Sequence, residues 1–225
     1  MDIISKVNSK RTNSFSEKVS PMRPYGLRGD FFLDPQKYDL PPISSKKKQG
    51  YLTIIGLENL KRVERYVPSN YPIPQKDGLD TYKIFIPRNY GSGEMGEIPS
   101  SPIIAGPDFL CTETFVQFGP FETEIEAVRC LNYSKTRFFR MVVSVAKLDQ
   151  GAGQRVYRFV PDFDFSITSE VKLDKQKTDV DVQPLQTLPP IIINWDKPIN
   201  DIDDQLIKAY SLEKYKERIV SIIPE

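Results

Sequence analysis

A chain of 225 residues, 39% hydrophobic and 11% aromatic, can form one large globular domain or one domain with a small appendage. It has no histidine and only two cysteines, which excludes histidine-dependent catalytic triads, histidine-ligated zinc and four-thiolate zinc sites. The formal net charge is +1, but lysine and arginine concentrate in the first two-thirds and aspartate in residues 162–204, which favours a local basic face over a polybasic tail.

The first residues, Met1 to Lys6, lack the basic start and the long apolar run of a secretory signal peptide. No window reaches the ~18 consecutive apolar residues that a membrane span requires. Two cysteines do not suggest a disulfide framework. Together these features predict a soluble protein of the reducing cytoplasm.

The N-terminal part is predicted to contain a helix and an ordered basic turn. Apolar residues recur at helical spacing over 1–20, and Ser14 followed by Glu17 is typical of a helix N-terminus. Two prolines and two glycines in 21–30 predict a turn that presents Arg23, Tyr25 and Arg28, residue types that contact phosphates and bases. A plain surface turn with solvated arginines is the alternative.

Three strands are predicted between residues 51 and 87. The runs 51–55, 62–67 and 82–87 are rich in β-branched and aromatic residues, and the second alternates apolar residues with charged ones, among them Arg62 and Arg65. The preceding connection, 34–49, carries three consecutive lysines at 46–48. These lysines are either part of a solvated loop or lie near a phosphate backbone.

A glycine-rich loop follows the third predicted strand at 88–97. Its glycines match the spacing of dinucleotide-binding loops, but the Ile-Pro-Ser-Ser-Pro sequence at 98–102 cannot begin the helix that such a site requires. We therefore expect a mobile loop that carries Arg88, Asn89, Tyr90 and Ser92 toward a ligand.

Residues 109–161 are the predicted scaffold. A strand over 109–118 precedes a helix with a capping box at 123–126, in which Ile125, Val128 and Leu131 share one face. A second helix is predicted from about residue 135, and a second strand over 155–160. In the second helix the residues expected to be buried are Phe138, Phe139, Val142 and Val145. Those expected to project from its surface are Lys135, Arg137, Arg140 and Lys147.

The remaining chain is predicted to begin with a polar insertion or loop at 166–194, in which 168–187 are a long loop or a partly disordered insertion. A helical region is predicted over 201–223, with Ser211 as the cap of its second half. The predicted domain organisation is a recognition domain at 1–165, the insertion, and a C-terminal helical segment at 195–225 that packs on the same domain. The expected fold class is α+β, with a mixed or antiparallel sheet and packed helices.

Asp162, Glu170 and Lys172 resemble the arrangement of metal-dependent endonucleases, in which two acids hold Mg²⁺ and the lysine activates water or stabilises charge. The gap between the acids is short, and Glu170 lies in the polar insertion rather than in a predicted strand. A Mg²⁺-dependent restriction endonuclease is therefore the second hypothesis. A protein-interaction module without DNA contacts is the third.

Several segments in a fixed order resemble the C-terminal target-recognition region of adenine-specific DNA methyltransferases of bacterial restriction–modification systems, including fused type IIG-like enzymes. The resemblance extends over nearly the whole chain. It is carried by 15–20, the Arg-Pro-Tyr-Gly-Leu-Arg sequence at 23–28, the loop after 82–86, and the segments 111–115, 119–121, 135–140 and 157–161. The segments around Phe165, Trp195, Leu206 and 210–213 resemble the end of that region, interrupted by the polar insertion.

The resemblance implies a specificity module without catalytic activity of its own. The catalytic Asn-Pro-Pro-Tyr-type motif is missing, because both Pro-Pro pairs, at 41–42 and 189–190, are flanked by leucine and isoleucine. The glycine-rich loop for S-adenosylmethionine is missing as well. S-adenosylmethionine and the chemistry are expected in a separate methyltransferase domain or subunit, and duplex DNA is the expected ligand. No catalytic or metal-binding residue is assigned.

The predicted DNA contacts fall into three groups by residue type. The basic residues and one aromatic residue are expected at phosphates, guanines or stacked bases: Arg23, Tyr25, Arg28, Arg62, Arg65, Lys135, Arg137 and Arg140. The glycine loop supplies Arg88, Asn89, Tyr90 and Ser92 to base edges or a flipped strand. Thr112, Glu113 and Thr114 either bond to bases or order the adjacent loop.

Overall fold

In the computed structural model the described residues are 3–11, 13–92, 94–99, 101–147, 151–167 and 191–223. Within these residues the chain forms five α-helices and two three-stranded sheets, so the predicted α+β class is confirmed. The helices are α1 (Ile3–Lys10), α2 (Glu124–Lys135), α3 (Arg137–Ala146), α4 (Ile199–Ala209) and α5 (Lys216–Ile222). The strands are β1 (Tyr51–Glu58), β2 (Lys61–Pro68), β3 (Tyr82–Pro87), β4 (Ile103–Ala105), β5 (Phe109–Cys111) and β6 (Phe115–Phe121).

One sheet is mixed and the other is antiparallel. In the mixed sheet, in the order β2-β1-β5, β1 and β2 form an antiparallel hairpin and β5 runs parallel to β1. Asn59 and Leu60 both have positive φ at the hairpin turn, as a two-residue loop with the twist of the strands requires. The second sheet has the order β4-β3-β6.

Strand β3 lies between two hydrophobic cores. Ile84 and Ile86 belong to the core that the helices cover, whereas Phe85 packs into the core under the mixed sheet. Strand β6 divides in the same way, because Phe118 joins the helical core and Phe115 the other. Alternate residues of a strand point to opposite faces, so the antiparallel sheet separates the two cores.

The predicted start of α2 is confirmed, and the face that Ile125, Val128 and Leu131 share is not the buried one. The Thr123 side chain accepts a hydrogen bond from the Glu126 backbone N–H, as a helix N-cap does. Ile125 is 60% exposed and Val128 is 39% exposed. The buried face consists of Ala127, Cys130, Tyr133 and Ser134.

Two strand predictions are wrong, each for its own reason. The run 109–118 is not one strand, because a turn after Cys111 sends β5 into the mixed sheet and β6 into the antiparallel one. The run 155–160 contains a short 3₁₀ helix, Gln154–Tyr157, whose Val156 and Tyr157 are buried. A short apolar run does not distinguish a strand from a buried helical turn.

The C-terminal helical prediction is correct in outline. Helices α4 and α5 lie in this part of the chain, separated by the 3₁₀ turn Glu213–Tyr215. Ser211 does not cap that turn, since its φ is positive and its hydroxyl accepts a hydrogen bond from Lys10 instead. The loop predicted over 168–187 lies outside the described residues.

Candidate functional site

The basic turn at 23–28 is held by Glu113. Nε of Arg23 lies 2.5 Å from Glu113 Oε2, and Glu113 Oε1 accepts a hydrogen bond from the Gly29 backbone N–H at 3.0 Å. Burial opposes ionisation of Glu113, but the bonds from Arg23 and Gly29 outweigh it and hold the pKa of Glu113 below its usual range. Glu113 therefore orders the adjacent loop, which is one of its two predicted roles.

Tyr25 and Thr112 do not lie on the surface that the prediction gave them. Both are fully buried, and the Tyr25 hydroxyl donates to Gln117 Oε1 at 2.7 Å. The Thr112 and Thr114 hydroxyl oxygens are 2.8 Å apart, and Thr112 packs against Gly56. The predicted base contacts by Tyr25 and Thr112 need correction, because both side chains fill the core instead of facing solvent. Thr114 is partly exposed.

Exposed cations surround the β1–β2 hairpin. The side chains that we call the hairpin cations are Arg28, Lys46, Lys47, Lys48, Lys61 and Arg62. None of them pairs with a carboxylate among the described residues. Three have contacts with neighbours. The Arg28 guanidinium is 5.6 Å from the centre of the Tyr38 ring, the Lys48 ammonium is 5.7 Å from the centre of the Tyr51 ring, and Arg62 donates to the Ser101 carbonyl at 2.9 Å.

Arg65 differs from the hairpin cations although it lies on the same strand as Arg62. It is partly buried, forms an ion pair with Glu58, and lies 5.9 Å from the centre of the Phe32 ring. Its charge is therefore neutralised within the fold.

The glycine loop is held against the protein by several contacts. The Arg88 backbone N–H donates a hydrogen bond to the Thr114 carbonyl at 2.9 Å. Asn89 is exposed, and its backbone forms an isolated antiparallel β-bridge with Gly151. Ser92 is exposed, and its hydroxyl donates to Glu97 Oε1 at 2.9 Å. The expectation of a loop that simply extends toward a ligand is thus incomplete, because Glu97 folds back over the loop.

Tyr90 and Lys147 form the buried base of this loop. Tyr90 is 6% exposed, and the Lys147 ammonium lies 4.0 Å from the centre of its ring. Lys147 also forms an ion pair of 2.9 Å with Glu97, in which the two side chains are 5% and 15% exposed. Burial raises the pKa of Tyr90 to about 12. The expected surface positions of Tyr90 and Lys147 are wrong, because the loop covers them.

The structure brings three predicted cations together in one cleft. Lys135 ends α2, while Arg137 and Arg140 belong to the first turns of α3, and all three line a cleft of about 330 Å³. We call it the basic cleft. Its opposite wall is the start of α4, including Pro198 and Asn200.

The arginines of the basic cleft are fixed by backbone carbonyls and by α4. Arg137 donates to the Ile223 carbonyl at 3.2 Å and to Asn200 Oδ1 at 3.3 Å. Arg140 donates to the Gly96 carbonyl at 3.0 Å and is 4% exposed, so its predicted outward position is wrong. Burial and the nearby Arg137 lower the pKa of Arg140.

Asp203 is the acidic residue of the basic cleft, and no sequence pattern indicated it. Its Oδ1 accepts a hydrogen bond of 2.8 Å from the Phe138 backbone N–H, so it helps to cap α3. Burial raises the pKa of Asp203. Asn200 was missed as well, because neither residue belongs to a recognisable motif.

No protein-family model, no curated protein and no solved structure matches the chain. Within the described part of the chain, no helix combines the length and apolar character needed to cross a membrane. The contacts, burial and charges of the side chains are the basis for assigning a function.

The endonuclease hypothesis involves residues that the structure describes only in part. Asp162 pairs with Lys18 at 3.1 Å, and burial raises the pKa of Asp162. Glu170 and Lys172 lie outside the described residues. Among the residues that are described, no group of three histidine, cysteine or acidic side chains is placed to hold a metal ion. Cys111 and Cys130 are buried free thiols.

The glycine loop does not fit S-adenosylmethionine as a cofactor cradle. The carboxylate of Glu97 fills the space over Gly91, and the Ile223 side chain fills the space over Gly96. Gly91 and Gly96 therefore accommodate the protein's own side chains, and neither offers an open surface for a ligand.

Proposed function

We propose that this chain is a sequence-specific duplex DNA recognition module of a restriction–modification adenine methyltransferase, with no catalytic activity of its own. The observation that carries the proposal is the group of hairpin cations, which are exposed and form no direct ion pair among the described residues, although the charge of Arg28 helps to lower the pKa of Glu113. Lysine and arginine contacts to phosphates supply much of the affinity of proteins for DNA. A cation already paired within the fold, such as Arg65, contributes less.

The hairpin cations divide into two roles in this proposal. Lys46, Lys47 and Lys48 are flexible point charges suited to the phosphate backbone. Arg28 and Arg62 have planar guanidinium groups that the Tyr38 ring and the Ser101 carbonyl orient, and an oriented guanidinium suits bidentate contact with a guanine edge. The exposed Asn89 and Ser92 add polar groups from the glycine loop.

The proposed partner is a methyltransferase catalytic domain or subunit. It would supply S-adenosylmethionine and the catalytic motif, while this chain would position it over the target adenine. The proposed location is the cytoplasm, where the buried thiols of Cys111 and Cys130 remain reduced.

A duplex titration over a range of salt concentrations tests the proposal. We expect binding whose log affinity falls linearly with log salt, with a slope of about −0.9 for each neutralised phosphate. A pool of random duplexes should yield an enriched sequence, since a recognition module prefers its site over non-specific DNA. Absent binding, or binding that does not change with salt, would instead favour a protein-interaction module.

A parallel arm with Mg²⁺ distinguishes recognition from cleavage. Under the proposal the duplex stays intact with and without Mg²⁺. Mg²⁺-dependent cleavage that disappears in Asp162→Ala would contradict the proposal and identify an endonuclease.

A further inference from the structure

The turn of the β1–β2 hairpin exposes a leucine almost completely. Leu60 is 95% exposed, whereas the next most exposed large apolar side chain among the described residues, that of Leu33, is 64% exposed. Single exposed apolar side chains are ordinary on protein surfaces, so exposure alone would say little. At 95% exposure, however, the Leu60 side chain gains almost no stabilisation from burial within the fold.

The backbone at Leu60 is unfavourable as well. Its φ is 63°, in the left-handed region that bulky residues rarely adopt, and glycine is the preferred residue at this position of a two-residue hairpin turn. Arg23 has a similar φ of 64°, but there the ion pair with Glu113 stabilises the conformation. The side chain of Leu60 lies in solvent and has no comparable contact among the described residues. A strained, exposed leucine where glycine would cost less indicates a contact outside the fold.

The end of the hairpin extends beyond the third strand of its sheet. Strand β5 pairs with β1 at residues 53–55, whereas the pairing of β1 with β2 continues for three more residue pairs, as far as Glu58 and Lys61. Three residues of a strand span about 10 Å. Residues 59–62 are all exposed. The hairpin therefore ends in a narrow two-stranded ribbon, which is an element that can enter a groove of DNA.

The charge beside Leu60 is positive. Lys61 and Arg62 follow it directly and form no ion pair with a carboxylate among the described residues, while Glu58 across the turn is paired with Arg65. An apolar side chain next to cations is complementary to a duplex, in which phosphates flank a stack of bases. One leucine is too small an apolar area to hold a protein on a lipid bilayer.

We propose that Leu60 is an apolar wedge that inserts between two adjacent base pairs of a DNA duplex, while Lys61 contacts a neighbouring phosphate. The inference rests on the proposed function, since it requires duplex binding. DNA-binding proteins insert leucine and similar side chains in this way, which unstacks one base step and kinks the duplex. The base stack supplies the apolar contact that Leu60 lacks within the fold.

The wedge gives the module a means of sequence discrimination without a hydrogen bond to a base. Pyrimidine–purine steps such as TA unstack and kink readily, whereas A-tracts are stiff. A site with a flexible step under Leu60 therefore costs less to deform, and the protein binds it more tightly than a stiff site of the same charge.

Two short duplexes of equal length test the wedge with the whole chain. One has a central TA step and the other an uninterrupted A-tract, and in each a central adenine is replaced by 2-aminopurine, which fluoresces more strongly when it is unstacked. We expect the TA duplex to bind about tenfold more tightly than the A-tract duplex. Its 2-aminopurine fluorescence should rise on binding.

The variant Leu60→Gly separates DNA binding from fold stability. Glycine removes the wedge but suits the positive φ, so the melting temperature should not fall, while affinity for the TA duplex should fall about tenfold and the fluorescence increase should disappear. Leu60→Met keeps an unbranched apolar side chain and should retain most of both signals. Ile125→Ala, at a residue of α2 that is 60% exposed, is the matched control and should leave both signals unchanged.

The possible failures of the wedge and of the proposed function differ. Salt-dependent binding of both duplexes that Leu60→Gly leaves unchanged would overturn the wedge and leave the proposed function intact. Weaker binding by Leu60→Gly without any fluorescence increase in the wild-type complex would make Leu60 a groove contact and overturn insertion. Binding of neither duplex would overturn both proposals.

Discussion

Nε of Arg23 lies 2.5 Å from Oε2 of Glu113, so two residues that the sequence predicts as separate DNA contacts bind each other. The pair joins parts of the chain that are 90 positions apart, and Glu113 also accepts from the Gly29 N–H. Arg23 has a φ of 64°, in the left-handed region that non-glycine residues rarely adopt. Glu113 therefore stabilises an unfavourable backbone conformation at the base of the turn that presents Arg28.

Replacing Glu113 should loosen this turn. We expect Glu113→Ala to lower the free energy of unfolding by about 1 to 2 kcal/mol, since two charged hydrogen bonds are lost but Arg23 is partly screened by solvent. Because the folded-state pKa of Glu113 is lowered, its contribution is present above pH 4.5 and is lost as the pH falls below that value. Urea denaturation of both proteins at several pH values measures this, and a difference that persists at low pH would contradict it.

Lys83 should make stability rise with pH as well, but in the alkaline range. Its ammonium donates to the Gly78 carbonyl at 2.8 Å and to the Leu79 carbonyl at 3.1 Å, and burial lowers its pKa from 10.5 to about 8. Between these values the unfolded chain binds the proton more readily than the folded chain. The contribution of Lys83 to the free energy of unfolding should therefore rise with pH, by at most about 1.4 kcal/mol per pH unit.

A variant isolates this contribution from other titrating groups. The pKa values of the buried thiols Cys111 and Cys130 are raised, so their titration reduces stability at high pH and opposes the effect of Lys83. The quantity to measure is the free energy of unfolding of the wild type minus that of Lys83→Met, from pH 7 to pH 10. This difference should increase, and the corresponding difference for Lys208→Gln, a substitution of an exposed lysine, serves as the control. A flat difference for Lys83→Met would refute the prediction.

The lysine run at 46–48 should contribute to DNA affinity through phosphates alone. Replacing all three lysines by glutamine should weaken binding to every duplex and make the salt slope less negative by about 0.9 for each lysine that contacts a phosphate. A matched triple variant, in which Lys208, Lys214 and Arg218 become glutamine, makes the same change in net charge on other exposed residues. If both triple variants change the slope equally, the run is not a specific contact surface.

The parts of the fold that local sequence patterns specify were predictable. Strands β1, β2 and β3 include the predicted runs, and the caps at Thr123 and Ser14 form because a hydroxyl near a helical first turn accepts from a backbone N–H. The predicted second helix begins at Arg137 after its cap at Thr136. Each of these features depends on neighbouring residues, so periodicity and capping chemistry suffice.

The exposure of the candidate site residues was not predictable, because distant segments decide it. Helical periodicity places Arg140 and Lys147 on the solvent-facing side of the predicted second helix. In the structure, residues 96 and 97 of the glycine loop cover both side chains. Tyr25 is buried through a hydrogen bond to Gln117, which is 92 positions away. The basic cleft likewise depends on the start of α4, about 60 residues beyond Arg137. Pairing across such separations leaves no signature in a single sequence.

The Glu97–Lys147 pair should be a main determinant of the position of the glycine loop. Both side chains are largely buried, and removing one partner leaves an uncompensated charge. We expect Glu97→Ala and Lys147→Ala each to lower the free energy of unfolding by about 3 kcal/mol or more, whereas the double variant should cost less than the sum of the two. The same variants should expose residues 88–92 to limited proteolysis, because the carboxylate also holds Ser92. Additive effects in the double-mutant cycle, with no change in proteolysis, would show that the pair does not hold the loop.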